Sequence, residues 1–516
     1  MSKGTTPEGF TGEVLGVLYD GIAPDLDMIM VRLTSPEIDR VGGIWAGMSG
    51  SPVYAEDGRL IGAVAYGLAF GPSPVAGVTP YAEMDNYLAA APAPRVKVGK
   101  AVARKIAANS DVTATEAEQG FAQLRMPLGV TGVGPWRLAR TTGRSWIPKQ
   151  TYATGRATAD SGADADSIVA GGNLAAAASF GDITIGGVGT ATSTCGDQVV
   201  GFGHPIFFQG TSTAYLMPAD AIYIQEDPTF FPFKVANLAA PVGTITDDHL
   251  AGITGIKGAL PDSMQVGSDV SFAGRSRSGA TDVAIPDFGP TVGLFQVLAN
   301  QDRVIDGITG GSALQSWTIT GHTPAGLAFT LPFTDRFQSR YDISFATVFD
   351  MPDALWALLN IDGVTIDSAK VQAKVVADKT TYVVSTVQQY RKGAWVTVNK
   401  DNPVTGVAGR DLVLRVVLST VGGTRSLHWR VPVPATASGA RGQVRFTGGN
   451  DLFSWSDSTP NSVRGILRRY ASMVRNDQVQ AQLSIGIEKQ SFDAQAVLGP
   501  LNKVISGSRA VPVRIR

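Results

Sequence analysis

The chain has 516 residues, 44% of them apolar, with 43 Lys and Arg against 44 Asp and Glu. That length implies several domains at about 100–200 residues each, and the apolar content excludes global disorder. The even charge excludes a basic field for nucleic acid or for an anionic membrane surface. Cys195 is the only cysteine, which excludes a disulfide framework within the chain and argues against a cysteine metal cage. No apolar run approaches the roughly 18–20 residues that a membrane span requires, so no direct membrane insertion is expected. The opening "MSKGTTPEGF" is too polar for a signal peptide. The chain is therefore expected either to be cytoplasmic or to begin after a removed targeting segment. Sixty glycines and 29 prolines between short Val/Ile/Thr runs predict a mostly β fold.

In chain order, residues 1–85 read as successive strands: "GEVLGVLYD", "MIMVRL", "SPVYAE", "RLIGAVAYG" and "AGVTPY". Asp57-Gly58 is a hairpin turn, because both residues tolerate positive φ. Residues 86–165 form a helical and loop connector. Helices are predicted over "YAEMDNYLAAA", which begins just before it, and "KAVARKIAANS", with "APAPR" as a hinge. A further short helix is predicted in "TATEAEQGFAQL", and a mobile loop over 140–170. Strands resume over 166–275 with "DITIGGVGTAT", "QVVGFGHPIFF" and "APVGTITDDHLAGITGIKG". A β-rich connecting region is expected over 276–350. Period-two alternation in "KVQAKVVA", "TTYVVSTVQQY" and "LVLRVVLST" predicts a β-sandwich over 351–448. The final segment, 449–516, is expected to be α+β, with an amphipathic helix "SVRGILRRYASMV" and a strand "QVQAQLSIGI".

The chemistry concentrates in "GMSGSP", residues 47–52. A nucleophilic serine needs its hydroxyl on a tight turn, with free backbone N–H groups for the oxyanion. Ser49 is the predicted nucleophile, the N–H groups of Gly47 and Ser49 the predicted oxyanion hole, and Ser51 a structural residue of the turn. Taken alone, the hexapeptide reads more readily as a Gly/Ser-rich β-turn. The strand, DG hairpin and "IGAVAYG" that follow match the serine half of a chymotrypsin-like barrel, in which Ala65–Gly67 would pair with substrate backbone. Of the four histidines, His249 sits at a hairpin tip in "TDDHL", and His322 and His428 lie in later β segments. His204, in "VVGFGHPIF", ends an apolar strand and is the candidate base.

These residues carry a family resemblance. The segment from "FTGEVLGVLYDG" through "GMSGSPVYAEDGRLIGAVAYG" to "VTPYAEM" resembles the serine-containing part of the stage IV sporulation protein B (SpoIVB) serine peptidases. "GGVGTATSTCGDQVVGFGHP" is similar to that family's histidine region. The resemblance covers about a third of the chain. It implies a chymotrypsin-like serine endopeptidase acting outside the cytoplasm. With the strand and helix patterns above, the expected fold is a mostly β, chymotrypsin-like double β-barrel in permuted order with a helical connector and C-terminal β-sandwich domains. The substrate would be a protein or peptide, at times the chain itself, with no cofactor. The family order is inverted here, since Ser49 precedes His204. The family's acidic residue precedes the serine loop, where this chain aligns Ser35, leaving Asp27 and Asp39 as candidates. A Ser-His dyad oriented by a backbone or hydroxyl group is the other possibility. With no charge in "VGGIWAG", an apolar or small side chain is expected before the scissile bond. "GGVG" and "GFGHP" lack the pattern of a phosphate loop, and "DSGADAD" lacks the glycine and terminal Glu of a calcium loop. The competing expectation is a catalytically degenerate scaffold that binds an envelope or cell-wall partner.

Overall fold

The structure is a computed structural model that describes residues 3–84, 96–124, 129–141, 144–147, 152–153, 162–227, 231–452, 460–487 and 490–516. The chain divides into two compact units. The first holds Met1–Val266 with Ala280–Phe295, and the second Gly267–Gly279 with Gln296–Arg516. The fold is mostly β, as the composition predicts, and includes a closed six-stranded barrel.

In the first unit, β1 (Thr11–Ala23) and β2 (Leu26–Thr34) form a hairpin. Helix α1 (Pro36–Val41) follows; Ser35 caps it by accepting from Ile38 N, and Gly42 ends it at φ +77°. The serine loop comes next, then β3 (Pro52–Tyr54), β4 (Leu60–Leu68) and β5 (Val75–Pro80). The sheet order is β1-β2-β5-β4-β3. The predicted turn at Asp57-Gly58 is present, with Gly58 at φ +83°. Residues 62–68 of β4 are buried on both faces, which explains a continuous apolar run where one-sided burial would demand alternation.

Helix α2 (Tyr81–Met84) precedes the connector, which holds α3 (Lys100–Ala107) and α4 (Ala114–Ala117). The predicted "APAPR" hinge, most of the first helix and much of the 140–170 loop fall outside the described residues. Helix α4 has a Thr113/Glu116 capping box. The helix predicted through "EQGFAQL" does not continue: Gly120 turns the chain at φ +83°, and β6 (Phe121–Gln123) pairs with Tyr66–Leu68 of β4. Strand β3 covers only Leu60–Ala63 of β4, so main-chain donors and acceptors further along are left for β6. Tertiary pairing thus overrides helix propensity.

After β7 (Gly129–Val130) and β8 (Tyr152–Ala153), β9 (Asn173–Gly181) and β10 (Ile185–Cys195) begin the barrel. It continues with β11 (Gln198–Gly201), β12 (Gly210–Gln225), β14 (Gly243–His249) and β15 (Gly252–Lys257), while β13 (Phe233–Leu238) pairs with β12 outside the ring. The order β9-β12-β14-β15-β11-β10 returns to β9 through direct pairing of β9 with β10. The alanine-rich β9 is buried on both faces. Leu174, Ala176 and Ala178 join Phe202, Leu216 and Ile253 on one side, and Ala175 and Ala177 meet Tyr215 and Met217 on the other.

In the second unit, Gly311–His322 pairs antiparallel with both Ala328–Ser339 and Thr365–Val376. Two five-stranded sheets between residues 382 and 515 share a core that includes Val384, Leu414, Trp429, Phe446 and Leu483. The strand "KVQAKVVA", read above as part of the sandwich, therefore pairs elsewhere, and the segment after 449 supplies sandwich strands instead. Alternation marks a half-buried strand but does not specify its partner. The predicted C-terminal helix spans Val463–Ser472, capped by Ser462.

Candidate active site

The serine loop is held by the barrel as well as by its own sheet. Ala46 N donates to Pro232 O and Lys234 N donates to Ala46 O, which ties the loop to β13. On β10, Thr190 N donates to Ser49 O, Thr190 Oγ1 to Gly47 O, and Thr192 Oγ1 to Gly50 O. On the other side Gly50 N donates to Val64 O, and Val64 N to Ser51 O. Ser51 is buried and braces the turn through its backbone, its N–H donating to Met48 O.

The glycines have specific work here. Gly47 and Gly50 sit at φ +101° and +94°. A Cβ on Gly50 would lie 1.9 Å from Thr190 O, and one on Gly189 of β10 would lie 2.9 Å from Ser49 O. Gly50→Ala is therefore expected to cost at least about 3 kcal/mol, combining left-handed strain with backbone overlap. Loss of hydrogen-exchange protection in the peptide covering residues 44–54 is the measurement.

His204 follows two consecutive left-handed residues, Phe202 at φ +69° and Gly203 at φ +68°. At Phe202 such backbone persists only where surroundings enforce it, whereas Gly203 adopts it freely. Thr79 Oγ1 on β5 donates to Gly203 O at 2.6 Å. Beyond the histidine, the carboxylate of Asp248 on β14 accepts from Ile206 N at 2.8 Å and Phe207 N at 2.6 Å, with Phe208 and Gln209 amides also contributing. Burial pushes the Asp248 carboxyl up, and those four amides hold it down.

These supports bring together two residues 155 positions apart: His204 Nε2 lies 2.7 Å from Ser49 Oγ. Both are buried, at 0% and 1% exposure. His204 Nδ1 lies 2.8 Å from Pro205 O. A carbonyl only accepts, so this bond places the ring proton on Nδ1 and leaves the Nε2 lone pair for the serine hydroxyl. Gln123 Nε2, on β6, lies 2.8 Å from Nδ1 and 2.9 Å from Pro205 O. It donates to the carbonyl in this tautomer and to Nδ1 in the opposite one. Burial is the main cause that lowers the imidazole to about 4, partly offset by the Pro205 bond. The N–H groups of Gly47 and Ser49, expected to form the oxyanion hole, have no acceptor among the described residues.

Neither acid candidate is a partner of the imidazole. Asp27, at the start of β2, accepts from Asp20 N in the β1–β2 hairpin, and Asp39 is exposed on α1. The remaining histidines are also elsewhere. His249 pairs with Asp247, His322 with Asp367, and His428 packs at a tilt against Trp395. No group of three or more metal-ligating side chains occurs among the described residues.

Sequence reasoning missed three residues. Gln123 was hidden in a predicted helix, and Asp248 in a predicted hairpin tip. Lys234 is buried, with Nζ 2.9 Å from Asn173 Oδ1, and its Cβ would be 2.8 Å from a Cβ on Gly47. Burial lowers its ammonium to about 7. A lone lysine inside the apolar run "FFPFKVANL" was the available signal for it. Two cavities of about 240 and 680 Å³ flank the loop at Ser51, and neither is lined by Ser49 or His204. Compared with known protein families, with curated proteins and with solved structures, the chain matches none of them.

Proposed function

We propose that the chain is a serine endopeptidase, with Ser49 as nucleophile and His204 as base. The observation that carries this reading is the 2.7 Å Oγ–Nε2 contact beside two unpartnered amides. Ser49 Oγ attacks the substrate carbonyl carbon while its proton passes to Nε2. The resulting oxyanion is met by the N–H groups of Gly47 and Ser49. Collapse breaks the C–N bond, the proton on Nε2 goes to the leaving amine, and water hydrolyses the ester. No cofactor takes part, and the substrate is a protein or peptide. A serine-bearing sheet followed by a histidine-bearing barrel supports a chymotrypsin-like arrangement in permuted order, in line with the SpoIVB resemblance. An extracytoplasmic site of action belongs to the same proposal. No described helix is long and apolar enough to cross a membrane.

A neutral carbonyl stabilises an imidazolium less than a carboxylate does. Exchanging the triad carboxylate for an amide costs about 10⁴ in rate in the best-studied serine peptidases, so slow turnover is expected. A fluorophosphonate probe tests the assignment. Covalent labelling located at Ser49 by peptide mapping, and absent in Ser49→Ala, is the expected result. A second reading, the catalytically degenerate scaffold for an envelope or cell-wall partner, is favoured by the missing carboxylate at Nδ1. A folded chain that takes up no probe at any pH would select it.

A further inference from the structure

We infer that Phe121–Leu124 occupies the substrate groove of this site in the register of a bound peptide, and that the groove accepts peptides with a leucine-like residue before the scissile bond once this segment is displaced. The inference rests on the peptidase reading and adds to it a specificity pocket and a built-in block.

An extended peptide binds a sheet edge by adding a strand, with main-chain hydrogen bonds for affinity and side-chain pockets for specificity. The edge expected to receive substrate, Ala65–Gly67, already holds such a strand. Gln123 is opposite Tyr66 and Ala122 opposite Gly67, antiparallel, and Leu124 N donates to Ala65 O at 3.0 Å. The side chains complete the pattern. Leu124 is wholly buried over Gly67, in an apolar cluster with Ile44, Val64, Val78 and Phe231. Gly67 leaves room for it: a Cβ there would come within 2.9 Å of Leu124 Cδ2. The side chains packed around it are apolar and suit an aliphatic residue better than a lysine or arginine. Gln123, one residue earlier, turns its amide onto His204 Nδ1 and Pro205 O. With the segment in place, Ser49 and His204 have almost no solvent exposure, and an incoming peptide would need the same edge of β4. Departure of Gln123 would also leave Pro205 O as the partner of Nδ1, which favours the tautomer that accepts from Ser49.

The test uses the full chain in three forms: wild type, Leu124→Asp and Gln123→Ala. A carboxylate at 124 has no partner in the apolar pocket and drives the segment out. Gln123→Ala keeps the leucine anchor and guards against a folding defect in the first variant. Fluorophosphonate labelling of Ser49 should accelerate by at least about tenfold in Leu124→Asp and by less in Gln123→Ala, because reactivity scales with the open fraction. In Leu124→Asp, the coumarin amide of Phe-Ala-Gln-Leu should be cleaved at least about tenfold faster than that of Phe-Ala-Gln-Arg. Equal labelling of all three forms, or preference for the arginine peptide, overturns the inference while leaving Ser49 a nucleophile. No labelling of any form removes the peptidase reading, and the inference with it.

Discussion

His204→Ala is expected to slow acylation of Ser49 by about 10⁴–10⁶-fold, the range seen when a catalytic base is removed from serine hydrolases. The hydroxyl then has no acceptor for its proton, since Nε2 is the group within hydrogen-bond reach of Oγ. Stopped-time labelling with intact mass readout measures the rate. The same residue sets a pH signature. As buried here, the imidazole stays neutral down to about 4, so the labelling rate of the wild type should rise through that pH and stay level to neutrality. Stability follows the same group. A folded pKa depressed from 6.5 contributes stability that is present above 6.5 and lost as pH falls through about 4. The amplitude is about 3 kcal/mol. His204→Ala should flatten that acid limb, and urea unfolding at pH 7 and pH 4.5 compares the two forms.

Asp248→Ala is expected to destabilise the histidine loop by about 3–5 kcal/mol, because four backbone amides of the loop lose their charged acceptor at once. Asp248 is wholly buried, and residues 206–209 turn their N–H groups onto its carboxylate. Asp248→Asn keeps one acceptor oxygen and should lose about half as much. Hydrogen exchange over residues 204–212 reads the loop directly, without requiring two-state unfolding of a chain with two units. Ser49 labelling should fall in parallel, since the loop positions the imidazole. Unchanged protection in Asp248→Ala would show that the barrel alone orders the loop.

Several features of the site were legible from residue order alone. "GMSGSP" announces a tight turn because left-handed φ at Gly47 and Gly50 requires glycine, and "EDG" announces the next hairpin. His204 stood out by its glycine-flanked position at the end of a strand. Other features were not legible. Gln123 sits in a stretch of good helix formers, and its β conformation depends on a vacant edge of β4 far away in sequence. Asp247 and Asp248 are adjacent and chemically identical. One accepts from threonine hydroxyls on β14 and β15, while the other is buried beneath the histidine loop. Strand alternation states that they face opposite ways, but not which faces inward.

The sequence by itself determined the elements and the reactive side chains, because glycine conformation, apolar periodicity and hydroxyl or imidazole chemistry are local properties. Tertiary structure alone decided what those side chains meet. It closed the barrel, carried Ser49 to His204 across 155 residues, placed a proline carbonyl where a carboxylate was sought, and laid Phe121–Leu124 along β4. The physical reason is that unpaired main-chain groups and apolar pockets are satisfied by whichever segment reaches them, and reach is a property of the folded chain.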